Sequence, residues 1–309
     1  MGDLAPIVVF VYNRPKHTAS TVEALRSNFL ASDSDLFVFA DGPKNDASED
    51  QLKAIYETRE IFKDITGFKS VTIYESSCNK GLARSIVEGV TKIVDEFGKV
   101  IVLEDDLVTS AYFLTYFNDA LDTYEDNEKV MHVSGYWYPL ELDKILPETF
   151  FFNVTSCWGW GTWKRAWKHL ELDPQKLMEQ LEYSNKLKYF DLEGWGDFKG
   201  QLVANISGRM STWAVRWHAS VCLSDGFSLH PRHSLVKNIG FDGTGVNCYD
   251  DNGQAQNQKV LDRPINVIKQ CATMENGRAR ARAIQYLQSL NKKPTYLKRV
   301  KARIWSLLH

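Results

Sequence analysis

The chain has 309 residues, 44% apolar and 12% aromatic, enough to bury a large core in one domain built of two lobes. Its 37 basic residues stand against 39 acidic ones for a net charge of −2, which gives no reason to expect nucleic acid or another polyanion as a general partner. No run approaches the roughly 18 apolar residues of a membrane span, and MGDLAPIVVFVYNRP lacks the basic start and small-residue cleavage site of a signal peptide, so the expectation is a cytoplasmic protein.

From residue 6, short apolar runs alternate with helical periodicity, the pattern of βα units around a mainly parallel sheet. IVVFVY (7–12) reads as the first strand, followed by a helix near His17 to Leu30. LFVFAD (36–41) is the second, with a polar helix from about Ser48 to Phe62. VTIYES (71–76) is the third, and NKGLARSIVEGVTKIVDEFG carries a helix ending at Gly98. VIVLED (100–105) is the fourth, a helix spans Tyr112 to Tyr124, and VMHVSGY (130–136) is a fifth strand. After residue 140 the alternation fades, and residues 150–250, rich in Trp, Gly and His, read as an α+β lobe at one end of the sheet. The fold class is therefore α/β, Rossmann-like, with helices flanking the sheet.

Cys78, Cys157, Cys222, Cys248 and Cys271 are scattered without paired spacing and read as thiols of a reducing compartment. His230 and His233 flank a proline and give no zinc pattern. Asn153-Val-Thr155 and Asn205-Ile-Ser207 match a glycosylation acceptor, a chance match in a cytoplasmic chain. In TYLKRVKARIWSLLH, Leu297, Val300, Ile304, Trp305, Leu307 and Leu308 share one helical side and Lys298, Arg299, Lys301 and Arg303 another. This basic amphipathic tail suits peripheral contact with an anionic membrane, or equally a solvated helix packed on the domain.

In open α/β sheets the ligand crevice lies at the carboxyl ends of the strands. Asn13 and Arg14 follow strand one, Asp41 ends strand two, Lys80 and Arg84 follow strand three, and Glu104, Asp105 and Asp106 end strand four. Three adjacent carboxylates raise one another's proton affinity unless a cation is near, and Mg²⁺ or Mn²⁺ accepts such oxygens while completing its shell with water and phosphate. The same triplet also reads as a solvated acidic turn, or as charges near a helix start capped by Thr109.

PIVVFVYNRP, FVFADGPK, NKGLARSI and VIVLEDD together resemble a glycosyltransferase of the GT-A fold, with EDD in place of its DXD metal motif, and more narrowly the N-acetylglucosaminyltransferase I family and related bacterial sugar transferases. The resemblance covers residues 6–120 well and 150–250 more loosely. It implies a nucleotide-sugar half over 1–140, an acceptor-side half over 141–275 and the tail over 276–309. It further implies a UDP-sugar donor, Mn²⁺ or Mg²⁺ on Asp106, and Glu104 and Asp105 facing the sugar and ribose. Asp41 would accept a hydrogen bond from the base, Asn13 and Arg14 would lie against base or diphosphate, and Lys80 and Arg84 beside the anionic donor. The implied acceptor is a saccharide or lipid-linked saccharide of a surface polysaccharide.

SCWGWGTWKRAW (156–167) offers Trp158 and Trp160 as a sugar wall, while Trp163 and Trp167, four apart, read as core. An inverting transfer needs a general base, and the resembled enzymes carry an Asp between tryptophans; here TWAVRW (212–217) has none. Asp197 and Asp242 are the substitutes, and Arg216 is either a contact for a negative ligand or a structural residue. Two other readings stand beside this one: a nucleotidyltransferase acting on sugar phosphates, against which VYNRPKHTAS lacks a glycine-rich loop, and a GT-A shell that binds carbohydrate without turnover.

Overall fold

Ile7–Val11 (β1) is buried at every position, as a parallel strand covered on both faces must be. It pairs in parallel with Asp35–Ala40 (β2) and Lys99–Glu104 (β4), and β2 pairs with Ser70–Glu75 (β3). The computed structural model describes residues 3–140, 146–243 and 259–290. Cys248 and the amphipathic segment from Leu297 to Leu308 lie outside the described residues.

The strand after the acidic triplet, Leu107–Thr109 (β5), is a correction to the helix start considered there: it pairs with Val236–Asn238 (β10) as a two-stranded ribbon. Val130–Ser134 (β6), Thr149–Phe152 (β7), Trp160–Trp163 (β8) and Phe227–Pro231 (β9) complete one eight-stranded sheet of order β3-β2-β1-β4-β8-β6-β9-β7. β8 is antiparallel to both β4 and β6, β6 and β9 are parallel, and β7 closes the edge antiparallel to β9. The fold is thus mixed α/β with a mainly parallel sheet flanked by helices, and β8 makes the sheet continuous across the two halves of the chain.

The helices in chain order are Pro15–Arg26 (α1), Glu49–Glu60 (α2), Leu82–Phe97 (α3), Phe113–Thr123 (α4), Lys164–Trp167 (α5), Pro174–Tyr183 (α6), Leu187–Phe190 (α7), Phe198–Ile206 (α8), Ala214–Leu223 (α9) and Gly277–Leu290 (α10). Pro15 starts α1 where its missing N–H costs nothing. Ser48 and Gln51 form a reciprocal capping box on α2. α3 buries Ile86, Val90, Ile93 and Val94 and stops at Gly98, whose φ of 78° is left-handed. Gly89 lets α3 lie on the sheet: a Cβ there would stand 2.8 Å from the Phe10 ring. α6 to α9 pack around their own apolar cluster, with Leu181, Phe190, Leu202 and Val215 at its centre.

Four of the five cysteines are described, and no disulfide joins any two of them. Asn153 is fully buried, donating to the Tyr189 carbonyl, and Asn205 is nearly so, which leaves neither acceptor sequence accessible as folded. No helix among the described residues is long and apolar enough to cross a membrane.

Candidate functional site

Strands β1 to β4 run parallel, so the residues that follow them gather at one sheet edge. β4 ends on Glu104, and the chain turns through Asp105 and Asp106 before β5. Thr21 of α1 clamps that turn: its hydroxyl donates to the Asp105 carbonyl at 2.9 Å and accepts from the Leu107 N–H at 3.0 Å. From the other side, the Ile239 N–H donates to the Asp106 carbonyl at 2.9 Å. The acidic turn is thereby fixed between α1 and the segment Asn238 to Asp242.

Asp105 and Asp106 are buried and share one cation. Arg14 Nη1 stands 2.7 Å from Asp106 Oδ2 and 3.6 Å from Asp105 Oδ1, and its Nη2 lies 3.8 Å from Asp242 Oδ1. Desolvation works against the guanidinium charge, but the bond to Asp106 and the charges of Asp105, Asp106 and Asp242 more than offset it. His17, one turn along α1, meets Asp242 Oδ2 at 3.0 Å. Gly240 is packed so closely over the cluster that a Cβ there would lie 2.1 Å from Asp106 Oδ2 and 3.0 Å from Arg14 Nη2.

The positive charge present does not balance this cluster. Desolvation, then Asp106 and Asp105, push Glu104 up to about 8. Desolvation, then Asp106, push Asp105 up to about 7, against the pull of Arg14 and of the Tyr12 backbone N–H. Among the described residues no three His, Cys, Asp or Glu side chains converge into a metal cage. What the turn offers a hard cation is carboxylate oxygen, but Asp106, the expected ligand, is the most buried of the three acids and is paired with Arg14.

Asp41 follows β2 and holds the loop after β3. Its Oδ1 accepts from the N–H of Gly42 and of Lys80, both at 2.8 Å; its Oδ2 accepts from Asn79 Nδ2 and the Gly81 N–H, both at 3.0 Å. A carboxylate has about four acceptor positions, so all are used and none remains for the base N–H expected there. Gly42 is required because the 78–81 loop runs against it: a Cβ would lie 2.5 Å from the Cys78 nitrogen. Arg59 of α2 secures the same strand ends, donating to the carbonyls of Asp41 at 3.2 Å and Ser76 at 2.7 Å. A cavity of about 260 Å³ opens here between β2, β3 and α3, with Asp41, Tyr74, Lys80 and Lys92 on its wall.

The remaining sequence candidates divide sharply. Lys80 and Arg84 both pair with Glu88, at 2.8 and 2.6 Å, on the exposed side of α3. Asn13 is half-buried beside Arg14. Trp158 is half-buried and stands edge-on to Tyr136 (4.5 Å) and Phe241 (5.6 Å), next to Gly240. Trp160 is fully buried instead, stacked on Trp213 and His132, because β8 runs through the middle of the sheet; it is core, not a sugar wall. Arg216 donates to Asn205 Oδ1 at 3.0 Å and ties α9 to α8. Asp197 starts α8 in a left-handed conformation, and desolvation and Asp191 raise its pKa.

Sequence reasoning missed His17, Asn79 and Gly240. His17 was legible as the residue one helical turn after Arg14. Asn79 immediately precedes the two loop residues whose N–H groups Asp41 binds. For Gly240 the sequence showed a glycine-rich loop but not what it lies on.

No protein-family model matches the chain, and no curated protein matches it. Among solved structures, a mannosyltransferase, PcManGT from Pyrobaculum calidifontis in complex with GDP-Man and Mn²⁺, aligns at 14% identity with a TM-score of 0.35, covering 58% of this chain and 49% of that one. TarS of S. aureus, as its residues 1–349, aligns at 9% identity with a TM-score of 0.37, covering 75% and 59%. A longer TarS chain aligns at 14% identity and 0.35, covering 54% and 30%. The chain thus spans about half the length of the mannosyltransferase and less than two thirds of TarS.

Proposed function

We propose that the chain is a metal-dependent glycosyltransferase of the GT-A type, moving a sugar from a nucleotide diphosphate donor, most simply a UDP-sugar, to a saccharide or lipid-linked saccharide. The observation that carries this reading is the gathering of Arg14, Asp105, Asp106 and Asp242 at the carboxyl end of the parallel strands, within a few ångströms of one another. Mn²⁺ or Mg²⁺ bound at Asp106 would supply charge neutralisation for a leaving diphosphate. Burial first, and the neighbouring carboxylates second, raise Glu104 and Asp105, and a divalent ion placed there would favour their charged forms.

Within this reading Arg14 has two states: it neutralises Asp106 when the donor is absent and turns to the diphosphate when it binds. The Asp41-held loop orients Lys80 and Asn79 toward the donor side, and Trp158 forms part of the sugar wall. Asp242, beside Arg14 and His17, is better placed than Asp197 to take the proton of an acceptor hydroxyl, with inversion as the stereochemical course. The basic amphipathic pattern read from the sequence in the 276–309 tail supports a place at the cytoplasmic side of a membrane, with that tail as the contact.

Calorimetry with UDP and Mn²⁺ on the full chain and on Asp106→Ala tests the assignment. Metal-dependent binding by the parent and its loss in a folded variant is the expected result; equal binding in both defeats it. Release of free sugar from a UDP-sugar panel separates a transferase from a shell that only binds.

A further inference from the structure

A second cavity, of about 230 Å³, lies between β7, the 155–157 segment, α8 and α9. Its size falls below the roughly 300 Å³ at which drug-sized ligand sites begin, so it admits one small ring. Tyr136, Tyr138 and Phe198 give it aromatic walls, and Thr155 and Gln201 add a hydroxyl and an amide. No Lys, Arg, Asp or Glu lines it among the described residues. It adjoins the acidic turn through Tyr136, whose ring meets Trp158, which in turn meets Phe241.

His218 supplies the feature that points to a ligand. The residue is 1% exposed and sits on the cavity wall, its ring stacked on Phe190 and edge-on to Phe198, both at 4.6 Å. Its Nε2 is 3.0 Å from the Phe190 carbonyl and therefore donates. Nδ1 is then a lone-pair acceptor, buried, with no partner. Burial keeps the ring neutral, with a pKa of about 4. An orphaned buried acceptor costs about 1 to 3 kcal/mol unless something satisfies it, and a ligand hydroxyl in this cavity would serve.

We infer that this cavity binds a single uncharged pyranose, with one ring hydroxyl donating to His218 Nδ1 and an apolar sugar face against the tyrosines. The inference rests on the sugar-transfer reading only in naming this ring as part of the acceptor. Among the described residues the wall carries no cation, so a uronate carboxylate would lose its hydration without compensation from them.

The test titrates the full-length protein with methyl glucopyranoside, methyl galactopyranoside, methyl N-acetylglucosaminide and methyl glucuronide, followed by saturation-transfer NMR, with UDP-sugar and Mn²⁺ titrated in parallel. His218→Gln keeps an amide donor for the Phe190 carbonyl and moves the remaining acceptor, its Oε1, away from the position of Nδ1. At least one neutral pyranoside should bind, its affinity should fall about tenfold in His218→Gln, and the glucuronide should bind more weakly than its neutral counterpart. If that variant does not fold, Gln201→Leu on the outer wall carries the same expected loss. The inference is overturned if no neutral pyranoside binds, if affinity is unchanged in a folded variant, or if the glucuronide binds as well. Donor binding that fails while the pyranoside still binds sinks the transferase reading and leaves the cavity assignment standing.

Discussion

Arg14 Nη1 lies 2.7 Å from Asp106 Oδ2, in a cluster where Asp105 and Asp242 also face the guanidinium. Arg14 sits one turn before His17 on α1, and Asp106 at the end of β4, so the pair ties the first βα unit to the fourth strand. A carboxylate held this way is ready to exchange one cation for another.

Arg14→Met should therefore destabilise the free protein. Side-chain exposures of 13% for Arg14 and 8% for Asp106 make this a buried pair, for which removing one partner costs roughly 3 to 5 kcal/mol. Because the vacated charge is the one a divalent ion would supply, Mn²⁺ should raise the melting temperature of Arg14→Met more than that of the parent. A smaller rise in the variant would mean that no metal binds beside Asp106.

The pH dependence of stability has two limbs. Glu104 and Asp105 have folded-state pKa values raised from 4.5 and 3.8 to about 8 and about 7, so the unfolded chain binds fewer protons and stability is lost as pH rises toward 8. His132, His218 and His230 are lowered by burial, the latter two to about 4, so their contribution is present above the unfolded value of 6.5 and lost as pH falls below it. Between 4.5 and 6.5 the two trends oppose each other; above 6.5 the carboxyls act alone. Chemical denaturation should show stability falling from 6.5 to 8 without metal, a decline that Glu104→Gln reduces and Mn²⁺ flattens. A rising limb in that range would refute the charge deficit.

Much of this arrangement was legible in the sequence and some was not. β1, β2 and β4 announce themselves as apolar runs because a strand buried on both faces has no polar alternation, whereas β3 is a half-exposed edge strand; the register places Asp41 and Glu104 at one edge. β8 was hidden: WGTW looks like an aromatic surface, yet Gly161 lets it pass against Phe117, where a Cβ would lie 3.0 Å from the ring. That tertiary contact turns Trp160 into core. The pairing of Lys80 and Arg84 with Glu88 was visible as helical spacing for Arg84, four residues before Glu88, but Lys80 reaches it only through the loop that Asp41 shapes. His218 went unnoticed, since a missing hydrogen bond leaves no mark in sequence.

Gly240 sets the height of the 238–242 segment over the acidic turn. Gly240→Ala places a Cβ 2.1 Å from Asp106 Oδ2 and 3.0 Å from Arg14 Nη2, so the Asp106–Arg14 pair or the segment must shift. A misplacement of about 1 Å near a reacting group can cost on the order of a hundredfold in rate. Turnover of a UDP-sugar should fall by that order, with the melting temperature little changed because the segment buries few apolar side chains. Unchanged turnover would show that this segment does not take part.

Asp41 offers the cleanest separation between positioning a site and touching its ligand. Asp41→Asn replaces one acceptor oxygen by an NH₂ that must face either Gly42 and Lys80 or Asn79 and Gly81, all of them donors. Whichever way the amide turns, two donors lose their partner, and one buried unsatisfied group alone costs about 1 to 3 kcal/mol. The loop 78–81 should loosen, seen as faster amide hydrogen exchange at Lys80 and Gly81, together with weaker UDP binding. Asn79→Ala removes one of the four hydrogen bonds and leaves the backbone N–H groups satisfied, so it should cost about 1 kcal/mol and weaken UDP less. If Asp41 instead met the base directly, Asp41→Asn would lower UDP affinity with exchange at Lys80 and Gly81 unaltered. The ratio of the two effects across both variants decides between these roles.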